Sequence, residues 1–76
     1  MSKAQQLMEF ATQDIISELT EKRNLSITEA MSVFYTSEFA GKLFDESTGL
    51  YLEGSKYLYE LLDTEIENGK FVQQEI

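Results

Sequence analysis

The first forty residues contain neither proline nor glycine. That half of the chain has no strong breaker, so its apolar periodicity can run as helix without interruption. Ala4, Leu7, Met8, Ala11, Ile15 and Leu19 recur at spacings of three and four, which predicts one amphipathic helix over residues 4–23. Lys22 and Arg23 fall in its last turn, where cations complement the helix dipole, and Asn24 suits the left-handed residue that ends it. Phe10 and Ile16 lie on opposite flanks of the stripe and either widen the core face or stand exposed.

Leu25-Ser26-Ile27-Thr28-Glu29-Ala30 is a helix start. Ser26 and Glu29 are spaced to form a capping box, and Leu25 with Ala30 a hydrophobic staple. Ile27, Ala30, Met31 and Phe34 then read as the buried stripe of a second helix over 27–36. Ser37 caps a third helix over 38–46, with Phe39, Ala40 and Leu43 inward and Phe44 on the flank. Gly41 either weakens this helix by about 1 kcal/mol relative to alanine or admits a neighbouring backbone. The second and third helices read either as separate or as one helix with a bend.

The remaining glycines, at 49, 54 and 69, punctuate the second half. Ser47-Thr48-Gly49 ends the third helix, and Leu50-Tyr51-Leu52 reads as an apolar anchor in a loop. Ser55 is expected to cap a fourth helix over 55–67, closed by Asn68-Gly69. Leu58, Leu61, Leu62 and Ile66 form its stripe, with Tyr57 and Tyr59 extending that face on both sides. Glu60, Asp63 and Glu67 share the opposite face, while Glu65 falls on the apolar side. Phe71–Ile76 form a short tail. The expected fold is all-α, a compact bundle of four helices in a single domain spanning 1–76.

Composition narrows function. A chain of 76 residues holds one core and buries only about 60% of its unfolded surface. Small domains compensate with disulfides, metals or oligomers. Cysteine and histidine are both absent, so disulfides, Cys/His zinc sites and histidine-based triads are excluded. Oligomerisation or very regular helix packing remains. The net charge is −8, from 14 acids against 6 scattered bases, and it opposes binding to nucleic acid or to an anionic membrane. The acidity favours solubility or a basic partner. Residues 1–20 hold no continuous apolar stretch, and no run approaches the ~18 residues of a membrane span, which favours the cytoplasm. The Glu60-Asp63-Glu67 face reads as a solvated acidic surface, and no phosphate-binding glycine loop is present. No catalytic residue, metal ligand or cofactor is expected.

What stands out is apolar width. Tyrosine suits a boundary that is buried on one side and wet on the other, and such residues are enriched at interfaces. Tyr51, Tyr57, Tyr59, Leu61, Glu65 and Phe10 are therefore the candidate protein interface. The expected function is a non-enzymatic protein-interaction module whose partner is another protein or a second copy, with a homodimer plausible on this reading. The alternative is a helix-turn-helix regulator formed by the second and third helices. Its recognition helix would carry Glu38, Asp45 and Glu46 against Lys42, the wrong sign for a major groove.

The order Leu25-Ser26-x-x-Glu29-Ala30, Phe34, Leu43-Phe44-Asp45, then Tyr51-Leu52-x-Gly54-x-x-Tyr57-Leu58 with Leu62 and Ile66, resembles the small bacterial proteins grouped as DUF3791. The resemblance covers about residues 7–67. Members often show His-Thr-x-Gly-x-x-Tyr in the closing stretch. Tyr51-Leu52 stands here in place of the His-Thr pair, so no role of that histidine transfers. The resemblance implies a bacterial, cytoplasmic, helical protein that acts through a neighbour, antitoxin-like or regulatory. It implies no catalytic residues.

Overall fold

The computed structural model describes residues 2–69. The chain is all-helical, with α1 over Lys3–Lys22, α2 over Ile27–Tyr35, α3 over Glu38–Leu43 and α4 over Ser55–Asn68. Two 3-10 turns, Glu46–Thr48 and Leu50–Leu52, join α3 to α4. The Phe71–Ile76 tail lies outside the described residues.

Each helix begins where a side chain or a turn can satisfy its free N–H groups. Ser2 and Gln5 form a capping box on α1, and Ser26 with Glu29 forms the expected one on α2. Asn24, at φ 57°, makes the left-handed turn between them. Thr36 ends α2 and Ser37 starts α3, its hydroxyl accepting from the Ala40 N–H. These are two separate helices. The third is shorter than its 38–46 reading. Asp45 accepts from the Ser47 N–H at 3.0 Å and diverts the backbone into a 3-10 turn. Gly49, at φ 69°, then reverses the chain and delivers Leu50 to the core. Ser55 is not the cap of α4. That position is Gly54, without a side-chain bond. At Gly41 a Cβ would meet nothing within 4 Å, so no neighbouring backbone packs there.

One core joins all four helices. It contains Ile15 and Leu19 from α1, Ala30 and Phe34 from α2, Phe39 and Leu43 from α3, and Leu58 and Leu62 from α4, with Leu50 from the second 3-10 turn. Phe34 is its hub. It meets Tyr35, Phe39 and Phe44 edge-on, with ring centroids 4.9, 6.2 and 6.0 Å away.

Two side chains assigned to the α2 stripe leave it. Ile27 is 67% exposed and Met31 43%. The core approaches α2 through Ala30 and Phe34, and a nine-residue helix beside α1 has only that narrow buried strip. Ile27, Met31 and Tyr35 wind onto the neighbouring, open flank.

Candidate protein interface

The polar side of α4 is engaged within the fold. Arg23, at the end of α1, donates from Nε to Asp63 Oδ1 at 3.2 Å and from its terminal nitrogen to Asp63 and to Glu67, the latter at 2.9 Å. The Asp63 and Glu67 hydrogen bonds raise the guanidinium further above its ordinary range. Lys22 lies over the Tyr59 ring, its Nζ 4.8 Å from the centroid. Glu60, the third acid of this face, is exposed. Among the described residues no helix is long and apolar enough to cross a membrane.

Glu65 is a fold contact. Its two carboxylate oxygens accept from the Glu38 and Phe39 N–H groups, each at 2.9 Å. With Ser37 accepting from Ala40, the first three free donors of α3 are satisfied. The remaining expected interface residues do not form one surface. Tyr59 and Leu61 are buried, which corrects the reading of Tyr59 as a flank of the α4 stripe: it fills the core. Tyr51 and Tyr57 are half-buried against the core, and Tyr57 borders a shallow cleft with Glu60, Asp63 and Thr64. Phe10 stands on α1 at 61% exposure.

A different surface collects exposed apolar groups. Ile27, Met31 and Tyr35 follow one another at i, i+4, i+8 along α2, a run of about 12 Å. Tyr35 is 53% exposed, and Phe44, beyond it, 42%. The α1 side of this seam is uncharged for most of its length. Ile27 and Met31 line a cleft with Gln13, Ile16, Ser17 and Thr20. Tyr35 and Phe44 line the next with Glu9, Thr12 and Gln13. Gln13 borders both clefts, which lie end to end along the Ile27–Met31–Tyr35 row as a seam, and among the described residues lining them Glu9 alone is charged. Within α2 the single charged side chain is Glu29, and its carboxylate accepts from the Ser26 N–H at 2.9 Å. That bond and the Ser26 hydroxyl hold the Glu29 carboxyl below its ordinary range.

The sequence reading missed this seam because 27, 30, 31 and 34 satisfy a helical stripe equally well as core. The available signal was the third member, Tyr35, which extends 27 and 31 at fours and separates them from Ala30 and Phe34. The arrangement offers apolar contact through Ile27, Met31, Tyr35 and Phe44. No protein-family profile, no curated protein and no solved structure matches the chain.

Proposed function

We propose that this protein is a non-enzymatic interaction module that docks a protein through the α1–α2 seam. The observation that carries the reading is the row Ile27–Met31–Tyr35–Phe44, four of the six large apolar side chains left exposed among the described residues, gathered on one surface while Phe10 and Leu52 stand apart from the clefts that row lines. Contiguous exposed apolar surface of this kind marks interaction sites, whereas scattered single residues need no explanation. The Tyr51–Tyr57 stretch and its resemblance to the DUF3791 proteins add an expected setting, a bacterial cytoplasm, and a regulatory or antitoxin-like role.

Site-specific photo-cross-linking in the source cells tests the reading. Benzoylphenylalanine at Tyr35 is expected to give a discrete protein adduct, and the same probe at Glu60, on the acidic side, none. Absence of any adduct from Tyr35, or equal adducts from both positions, would overturn it.

A further inference from the structure

The seam is lined by a single charged residue, Glu9, in a molecule that is otherwise strongly acidic, and this limits what can cover it. A basic partner would meet only Glu9 among the residues lining the seam, while Asp14, Glu21, Glu38, Glu60 and Glu67 are exposed but do not line it. For a second copy the reasoning reverses. Two bodies of net charge −8 repel wherever their acids are brought together. A contact through the seam avoids that cost, since the residues lining it carry a charge only at Glu9.

The stripe is also self-complementary. A two-fold dimer contact uses one patch twice, so residue i meets j and j meets i. Met31 is the midpoint of Ile27–Tyr35. Antiparallel pairing of two α2 helices therefore sets Met31 against Met31 of the second copy, and each Ile27 against the opposite Tyr35. Thr28 and Ser32, exposed beside the stripe, are small enough for two helices to approach to the ~8–10 Å of ordinary helix packing. We infer that the occupant of the seam is a second copy of this chain, in an isologous dimer built on antiparallel α2 helices with Met31 at the two-fold axis. This rests on the docking role proposed above and names the partner. Resting on one short helix per copy, the dimer belongs among weak, transient interfaces.

Sedimentation equilibrium from about 5 to 500 µM tests it. The mass is expected to rise from 8.7 kDa towards twice that value, while Met31→Lys stays at 8.7 kDa with an unchanged helical circular-dichroism spectrum. The chain contains no cysteine, so single replacements report proximity cleanly. Met31→Cys is expected to oxidise to a covalent dimer at least tenfold faster than Glu60→Cys. A mixture of Ile27→Cys and Tyr35→Cys chains should cross-link faster than either alone. A wild type that stays at 8.7 kDa throughout, a dimer that survives Met31→Lys, or equal oxidation at 31 and 60 would overturn the inference. A monomeric wild type that still gives a Tyr35 photo-adduct with a different protein removes self-pairing alone. Loss of the photo-adduct as well removes the docking role.

Discussion

The carboxylate of Glu65 lies on α4 but completes the start of α3, accepting from the Glu38 and Phe39 N–H groups. A carboxylate–amide bond is stronger than a neutral one, and its loss strands two helix donors. Glu65→Ala is expected to lower stability by about 2 kcal/mol, a fall of ~10 °C in melting temperature for a domain of this size. Glu65→Gln, which keeps one acceptor oxygen, should fall between. Thermal melts followed by far-ultraviolet circular dichroism measure both. The sequence marks Glu65 as odd, because it is an acid on the apolar side of its helix. That oddity has two physical outlets, a partner outside the fold or a donor within it. Spacing alone cannot separate them, since the N–H groups it meets lie 26 and 27 residues away. Tyr59 was misjudged for a related reason. Its place beside the stripe is legible, but its burial comes from the core cluster it joins, which is assembled from helices far apart in the chain.

At the scale of the helix, the ends are the most legible features. The α2 capping box rests on Ser26 and Glu29 three residues apart, a local pattern that needs no tertiary contact. It has a pH signature. The Glu29 carboxyl is held below its ordinary range, first by the Ser26 N–H and then by the Ser26 hydroxyl. A carboxyl depressed in the folded state adds stability above its unfolded pKa and loses it as the pH falls through the folded one. Glu29→Gln keeps the acceptor geometry, as Gln5 does on α1, and removes the charge. Wild type is therefore expected to melt above Glu29→Gln at pH 6–7. The two melting temperatures should converge as the pH is lowered through and below the ordinary carboxylate range near 4. A constant gap from pH 7 to pH 2 would contradict this. The α3 end was less legible, because Asp45 can cap the following turn or continue the helix, and the choice depends on Leu50 reaching the core.

For the whole molecule, the excess of 14 acids over 6 bases acts as a diffuse load that compactness increases. Added salt screens such repulsion over about 10 Å at 0.1 M. Raising sodium chloride from about 0.01 to 0.3 M is expected to increase the melting temperature by ~5 °C, on the order of 1 kcal/mol, measured at low protein concentration. The Arg23 pairs with Asp63 and Glu67 weaken under the same change, but exposed ion pairs contribute at most about 1 kcal/mol and do not reverse the trend. An unchanged or falling melting temperature would show that these local pairs outweigh the net charge. The all-α class, the helix starts at α2 and α3, the left-handed Asn24 and the inward positions of Ile15, Leu19, Phe34 and Phe39 were set by the sequence itself. Breakers, caps and periods of three and four act within a few residues of one another. The tertiary structure alone decided which of two adjacent stripes on α2 met the core. Ala30 and Phe34 turn inward and Ile27, Met31 and Tyr35 outward because α1 and α3 approach a short helix from one side, and among the described residues no element covers the other flank.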